Sequence, residues 1–245
     1  MSYSIGRSWE PYLSERDRAH LRAGYDKKEL FGFGKNPVLL VIDDYYSVLG
    51  LERQPFFDSI KKWPMSCGLE GWEAIDKTVE LIRHARSNDV PVIYVHGMEK
   101  GFVPWGRRAN RERLANLTPE ERAKANVIVD EIAPLDGDLI IQKAAASAFQ
   151  GTPLSFHLNY HGVDTVIACG ETTSGCVRAS VVDGATHRYA MGVVEECCFD
   201  RTESSHYINL FDMNQKYADV ISIPEAAAYF QTISLGKPAL VGALA

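Results

Sequence analysis

The chain alternates between short, mostly apolar segments and longer segments in which apolar residues recur at helical spacing. Six apolar segments predict β-strands: Val38–Ile42, Val90–Val95, Asp138–Ile141, Thr165–Ala168, Gly192–Val194 and Asp219–Ile223. Apolar runs this short are typical of strands that are buried on both faces of a parallel sheet. The segments between them predict amphipathic helices, as in Trp72–Arg86, where Ile75, Val79 and Ile82 recur at helical spacing.

The order of these elements predicts the fold class. The predicted helices are Ser14–Ala23, Trp72–Arg86, Pro119–Ala125, Leu154–His161, Gly175–Arg188, Thr202–Tyr217 and Glu225–Gln231. Strands that alternate with helices form right-handed β-α-β units. We therefore expect an α/β fold, a three-layer doubly wound sandwich with a mainly parallel six-stranded sheet. Ligands bind outside the carboxyl ends of the strands in such sheets, so we expect the chemistry at that edge.

Composition limits the domain organisation and the partners. Residues 1–36 are polar and rich in charge, and predict an N-terminal arm that packs on the domain formed by residues 37–245 or on a neighbouring subunit. Of the 245 residues, 46% are hydrophobic and 24% are charged, and the formal net charge is −6. This balance argues against nucleic acid or an anionic membrane surface as a partner. The sequence has no apolar run near the length of a membrane helix and no signal-peptide pattern, so we expect a cytoplasmic protein.

The cysteines give no sign of a structural framework. There are five of them, at positions 67, 169, 176, 197 and 198, and an odd number in a chain of this length argues against a disulfide scaffold. No paired Cys/His spacing suggests zinc. We expect most of these cysteines to be small buried hydrophobic residues, with Cys176 as the exception.

Three reactive side chains follow three predicted strands. Asp43 comes directly after the first strand, Lys143 closely follows the third, and Cys176 follows the fourth. Each has a structural alternative when taken alone. Asp43 could be a cap or turn residue, and Lys143 an ordinary charge at the rim with its stem lying on the core. Together they bring an acid, a cation and a nucleophile to one edge of the sheet, which is what activation of a thiol requires.

The turn that carries Cys176 supports a catalytic role most strongly. Residues 170–178 read Gly-Glu-Thr-Thr-Ser-Gly-Cys-Val-Arg, and small and hydroxyl residues of this kind make a tight strand-to-helix turn. Cys176 falls in the first turn of the following helix, where the positive helix end favours a thiolate. The exposed backbone N–H groups there can also stabilise an oxyanion.

These segments resemble the isochorismatase-like cysteine hydrolases. The residues that carry the resemblance are Leu39–Asp43, Lys143 with the following Ser147–Leu154, and Thr172–Arg178. Within that superfamily, residues 173–183, 200–201 and 209–217 resemble the branch of the N-carbamoylsarcosine and maleamate amidases. The resemblance extends over about residues 37–230.

The resemblance implies a catalytic triad of Asp43, Lys143 and Cys176 that cleaves a small amide or carbamoyl C–N bond and releases ammonia through a thioester. It implies an oxyanion hole formed by the backbone N–H groups of Thr172 and Cys176, with a cis peptide bond between Glu171 and Thr172. It implies no cofactor. The Asp-x-His metal motif of nicotinamidases is missing between Tyr45 and Trp72, so we predict no metal.

The substrate is less clearly predicted. In the carbamoylsarcosine-like branch, an arginine at the position of Arg201 binds the substrate carboxylate, and the Thr172 hydroxyl would add a contact; alternatively, Arg201 pairs with Asp200 or Glu203. Glu171 beside the oxyanion hole favours instead a neutral or cationic ureide such as guanylurea or biuret. Glu171 could also point away and pair with a cation such as Arg178.

Aromatic residues near the ligand edge are further candidates for the pocket. Tyr45 follows Asp43, and Trp105 lies in the segment Gly101–Arg108 after the second strand. The long aromatic segment Gly50–Cys67 could contribute in the same way.

Exposed apolar loops usually indicate burial by a partner, and relatives have active sites near subunit interfaces, so we expect a homodimer or homotetramer. A catalytically silent relative that acts as a binding subunit is the alternative from another class, and the intact set of three residues argues against it.

Overall fold

One parallel sheet organises the protein, for which a computed structural model describes residues 4–97 and 116–236. Its strands are β1 Pro37–Ile42, β2 Val92–Gly97, β3 Leu139–Lys143, β4 Thr165–Glu171, β5 Ala190–Phe199 and β6 Asp219–Ile221. They lie in the order β3-β2-β1-β4-β5-β6, and every neighbouring pair is parallel. The predicted α/β class and the six-stranded sheet are therefore confirmed.

Helices cover the sheet. In chain order they are α1 Glu15–His20, α2 Phe56–Lys62, α3 Gly68–Ser87, α4 Pro119–Lys124, α5 Leu154–Tyr160, α6 Arg178–Thr186, α7 Glu203–Lys216 and α8 Ile223–Gly236. A π-helical turn, Thr173–Val177, leads into α6. Helices α3 and α8 pack together against β5, and α6 and α7 pack together against the β5–β6 half of the sheet. Right-handed crossovers in opposite directions place these two pairs on opposite faces.

The strand order reverses between β1 and β4, and this is where the sheet opens a crevice. The chain proceeds from β1 towards β2 on one side and from β4 towards β5 on the other. Ile42 at the end of β1 pairs with Gly170 near the end of β4. Gly170 has φ +112°, and a Cβ there would lie 2.1 Å from the Ile42 carbonyl oxygen. Only glycine allows this close approach of the two strand ends.

The strands on the ligand edge extend further than their apolar runs. β4 continues to Glu171 and β5 to Phe199, through polar residues such as Glu195 and Glu196 that end the apolar pattern. The backbone ladder continues because Gly170 still pairs with Cys198 and Glu171 with Phe199. A sequence pattern based on burial misses such an extension because the ladder bonds do not depend on side-chain polarity.

The segment Gly50–Cys67 contains a helix and is not simply a loop. It contains α2, which begins after Pro55, and Trp63 just beyond α2 is buried. Phe57 on the same helix is 76% exposed. The segment therefore packs on the rest of the protein through Trp63, while Phe57 remains exposed. The candidate segment Gly101–Arg108, with Trp105, lies outside the described residues.

The N-terminal segment packs on the body of the same chain. Trp9 is fully buried, and its ring N–H donates to the Ser4 carbonyl at 3.1 Å. Lys27 forms a buried ion pair with Asp219 at the start of β6. The Asp219 carboxylate also accepts the backbone N–H of Gly32 at 2.8 Å. Among the helices of residues 4–97 and 116–236, none has the length and apolar character needed to cross a membrane.

Candidate active site

Asp43, Lys143 and Cys176 meet at the carboxyl edge of the sheet, as predicted. Lys143 Nζ lies 2.7 Å from Asp43 Oδ2 and donates to Cys176 Sγ at 3.2 Å. Asp43 and Lys143 are buried, and Cys176 is half-buried. The second carboxylate oxygen, Asp43 Oδ1, accepts no hydrogen bond from the described residues. We call these three residues the Lys143 cluster.

The sheet geometry explains how Lys143 reaches the other two. Lys143 ends β3, which is separated from β1 by β2. Strands in a sheet lie about 4.8 Å apart, so the ends of β3 and β1 are about 10 Å apart, and the side chains of Lys143 and Asp43 bridge this distance together. Lysine suits this position because it places a compact positive charge at the end of a long, flexible stem. Asp43 turns the chain at the end of β1 with φ +61°, a conformation that Asp tolerates better than most residues.

The electrostatics of the cluster keep its thiol protonated at rest. Burial, and then the negative charge of Asp43, raise the pKa of Cys176 to about 12, while Lys143 acts in the opposite direction. The expectation that the helix end favours a thiolate is therefore not met, because burial and Asp43 favour the protonated thiol. Burial also raises the pKa of Asp43, opposed by Lys143. Burial lowers the pKa of Lys143, but the charges of Asp43 and Cys176 outweigh it and the net shift is upward.

The turn before Cys176 has a defined backbone. The peptide bond between Glu171 and Thr172 is cis, as expected from the resemblance. Thr172 is extended, and its carbonyl accepts the N–H groups of Gly175 at 2.9 Å and of Val177 at 3.2 Å. Asp200 Oδ2 accepts both the N–H of Ser174 at 2.9 Å and its hydroxyl at 2.6 Å. Asp200 therefore anchors the turn, a role that the sequence did not suggest.

Glu171 and Arg201 form an ion pair beside the Lys143 cluster. Arg201 Nη2 donates to Glu171 Oε2 at 2.9 Å, and the two side chains are 24% and 7% exposed, respectively. Arg201 Nε donates to the Met65 carbonyl at 2.8 Å. We call these two side chains the Arg201 pair. Neither Asp200 nor Glu203 is the ion-pair partner of Arg201, and Arg178 is not the partner of Glu171.

The partner of Arg178 lies on α7 instead. Its guanidinium contacts Asp212 at 2.8 Å and hydrogen-bonds Asn209. This pairing follows from the packing of α6 against α7, which turns Arg178 away from the end of β4. Glu171 and Arg201 meet because β4 and β5 are neighbours, with Glu171 opposite Phe199.

Two further residues adjoin these groups. Tyr45 is largely buried, and burial followed by the negative charges of Asp43 and Glu171 raises the pKa of its phenol well above the usual value. Asp44 is 2% exposed, and neither of its carboxylate oxygens has a hydrogen-bond partner among the described residues. Burial, and then the charges of Glu171 and Asp43, raise its pKa well above the usual value. Asp44 is thus a buried acid without a hydrogen-bond partner in the part of the chain that the structure describes.

Across residues 4–97 and 116–236, no group of three or more His, Cys, Asp or Glu side chains is arranged to hold a metal ion. The remaining cysteines of the sheet, Cys169, Cys197 and Cys198, are buried, and burial raises the pKa of each thiol. Cys176 is distinguished from them by its contact with Lys143 and by its partial exposure.

A family model, the isochorismatase domain, matches residues 68–225. The chain belongs to the isochorismatase family. It is 44% identical over 199 residues to maleamate amidohydrolase of Pseudomonas putida, which covers 80% of this chain and 87% of that protein. It is 30% identical over 211 residues to N-carbamoylsarcosine amidase of an Arthrobacter species, covering 84% of this chain and 75% of that protein.

The fold also matches that of solved family members. A cysteine hydrolase from Pseudomonas syringae superposes with a TM-score of 0.68 at 18% identity, over 84% of this chain and 99% of that one. From the family and its named relatives, this protein is an amidohydrolase of the isochorismatase family that acts on amide C–N bonds.

Proposed function

We propose that Cys176 is the nucleophile of a cysteine amidohydrolase that acts on a short amide or N-carbamoyl acid carrying a carboxylate. The observation that carries this proposal is the contact of Lys143 with both Asp43 and Cys176 in one buried cluster. The substrate would be similar to maleamate or N-carbamoylsarcosine, which the names of two relatives specify.

The first half of the reaction follows from the Lys143 cluster. As Cys176 Sγ attacks the carbonyl carbon, its proton passes to Asp43, whose Oδ1 is free to accept it. Because the resting thiol has a raised pKa, attack and proton transfer occur together rather than from a preformed thiolate. Lys143 stabilises the negative charge on Asp43 before this transfer and on the sulfur during it. The N–H groups of Thr172 and Cys176 would hold the oxyanion of the tetrahedral intermediate.

The second half returns each group to its starting state. The C–N bond breaks, and Asp43 gives its proton to the leaving nitrogen, which departs as ammonia. Water then attacks the thioester, and one of its protons passes by way of Asp43 to the sulfur as the C–S bond breaks. The acyl group leaves as a carboxylic or carbamic acid, and the thiol of Cys176 is restored. Arg201 and the Thr172 hydroxyl would bind the substrate carboxylate, because a guanidinium binds carboxylates in a planar, two-pronged arrangement. Tyr45 would form a wall of the pocket. We expect a cytoplasmic enzyme that works as a homodimer or homotetramer.

A neutral or cationic ureide such as biuret or guanylurea is the second candidate substrate. The observation that favours it is the ion pair of Glu171 with Arg201, which balances the charge that a substrate carboxylate would otherwise meet. The triad chemistry would be the same for both candidates. A silent binding subunit is less favoured, because such a protein would not need a lysine buried between an acid and a thiol.

Ammonia release by the wild type, Cys176→Ala and Cys197→Ala tests the proposal. The substrates are maleamate, N-carbamoylsarcosine, biuret, guanylurea and nicotinamide. Removing a covalent nucleophile should lower kcat by at least about 10³-fold. Cys197 is an equally small thiol buried in β5, so its variant should keep kcat within about threefold.

The outcomes separate the candidates. Turnover of maleamate or N-carbamoylsarcosine that depends on Cys176 supports the carboxylate substrate. Turnover of biuret or guanylurea alone supports the second candidate and keeps the mechanism. Activity that survives in Cys176→Ala contradicts the mechanism. If no substrate reacts, thiol labelling distinguishes an enzyme from a silent subunit: labelling of Cys176 should need Lys143, since Lys143→Met removes the cation that stabilises the sulfur.

A further inference from the structure

Arg201 is fixed with only part of its hydrogen-bonding capacity in use. Its Nε and Nη2 groups donate to the Met65 carbonyl and to Glu171, respectively. These two nitrogens lie on one edge of the guanidinium. Within the described residues, Nη1 makes no hydrogen bond. The end of the guanidinium formed by Nη1 and the second proton of Nη2 is therefore available to donate to a ligand. An incoming carboxylate can therefore bind Arg201 without displacing Glu171.

The surroundings of Glu171 hold more acids than cations. The titratable groups that act on it come from β1 and the following loop, from the residue before α3, from β3, and from the end of β5: Asp43, Asp44, Tyr45, Cys67, Lys143, Asp200 and Arg201. Counting Glu171, these include four carboxyl groups and two cations. Lys143 already binds Asp43, and Asp44 has no partner among the described residues.

A further carboxylate at Arg201 would leave two buried anions sharing one cation. Buried charges without a full partner are strongly unfavourable, and a carboxyl group in that position binds a proton instead. Glu171 is the group closest to Arg201 that can do so. Asp200 already accepts hydrogen bonds from Ser174 and from the N–H of Arg201.

We propose that Glu171 couples substrate binding to proton uptake: wherever it is ionised in the free enzyme it balances Arg201, and it then takes one proton from solvent when a substrate carboxylate binds Arg201. This rests on the proposed function, because it requires a carboxylated substrate. It resolves the conflict between the two candidate substrates, since an acidic side chain that becomes neutral no longer repels an anion. Glu171 is thus a specificity-determining residue whose charge depends on the ligand.

The titration of Glu171 suits this role. Burial raises its pKa to about 8, although Arg201 acts in the opposite direction. Near neutral pH, below this pKa, most Glu171 side chains already carry a proton in the free enzyme, so an anion binds without proton uptake. Above this pKa, the free enzyme must first take up a proton, so affinity for the carboxylate should fall by about tenfold for each unit of pH.

The test uses maleamate and its diamide maleamide, which has the same shape and no carboxylate. Binding is measured by titration calorimetry on the Cys176→Ala variant, which cannot turn over either compound, between about pH 6 and 9.5. Buffers with different ionisation enthalpies report the number of protons taken up. Glu171→Gln keeps a hydrogen-bond acceptor for Arg201 but cannot ionise. Glu70→Gln removes one exposed negative charge from the first turn of α3 and serves as the control.

We expect the dissociation constant of maleamate to rise about tenfold per pH unit above about pH 8, with uptake of close to one proton at high pH. Maleamide should show neither effect. Glu171→Gln should abolish both effects for maleamate, and Glu70→Gln should leave them intact. An equal weakening of maleamate by Glu171→Gln at every pH, with the pH slope retained, would overturn the proposal and leave Glu171 as a positioning residue for Arg201.

Failure of the proposed function gives a different result. If maleamate binds no better than maleamide at any pH, and Arg201→Gln changes nothing, the site does not recognise carboxylates and both proposals are wrong. If maleamate binding needs Arg201 but is independent of pH, only the proton coupling is wrong.

Discussion

The Lys143 cluster and the Arg201 pair lie side by side, but they differ in how completely their buried charges are paired. In the Lys143 cluster, one cation contacts both of its neighbours, and the acid and thiol are already at bonding distance from it. Around the Arg201 pair, acids outnumber cations, and Asp44 is left without a partner among the described residues. The first arrangement is preorganised for a reaction, whereas the second has a charge state that a ligand can change.

The strongest test of this contrast replaces the adjacent acids Asp43 and Asp44 one at a time. Asp43→Asn removes the proposed proton acceptor and should lower kcat by about 10²- to 10⁴-fold. Asp44→Asn should leave kcat within about tenfold, because no side-chain hydrogen bond joins Asp44 to Lys143 or Cys176 among the described residues. Steady-state ammonia release measures both. Comparable losses in the two variants would mean that the two regions do not differ as described.

A smaller effect is expected in the stability of Asp44→Asn. The folded-state pKa of Asp44 is raised above the ordinary value of 3.8, so the folded protein binds more protons than the unfolded chain above that pH. Stability is therefore lost as the pH rises towards the folded pKa, by up to about 1.4 kcal/mol per pH unit for this one group. The variant should unfold at a higher temperature than the wild type at pH 8, with little difference near pH 4. Thermal unfolding across this range would contradict the assignment if the two curves stayed parallel.

The smallest effect is expected at an exposed ion pair. Arg53 lies 2.6 Å from Asp76, and its guanidinium sits 4.8 Å from the centre of the Trp72 ring. The two charged side chains are 42% and 54% exposed, so water screens their attraction. Arg53→Gln should lower the free energy of unfolding by less than about 1 kcal/mol in urea titrations. A loss of several kcal/mol in the free energy of unfolding, as expected for breaking a buried ion pair, would show that exposure does not determine the strength of these pairs.

The residues of the Lys143 cluster were predictable because each lies at or after the carboxyl end of a strand, and hydrophobic periodicity reveals where the strands lie. The Arg201 pair was not predicted as a pair. Its geometry depends on the extension of β4 and β5 beyond their apolar runs, which brings Glu171 opposite Phe199. The Met65 carbonyl that orients Arg201 is a backbone group, so this contact cannot be predicted from the pattern of side chains. The resting state of Cys176 was misjudged because the helix end is visible in sequence, whereas burial beside Asp43 is visible only in three dimensions.

Adjacent positions at this edge of the sheet, Gly170 and Glu171, differ in how well they tolerate substitution. No side chain can be added at position 170 without colliding with the Ile42 carbonyl, so the spacing between the ends of β1 and β4 is fixed. The next residue, Glu171, carries a side chain that contacts the recognition side and not Lys143. Single substitutions at position 171 can thus change which ligands are accepted while the nucleophile keeps its support. The fold separates the part of the edge that must not vary from the part that is free to diversify.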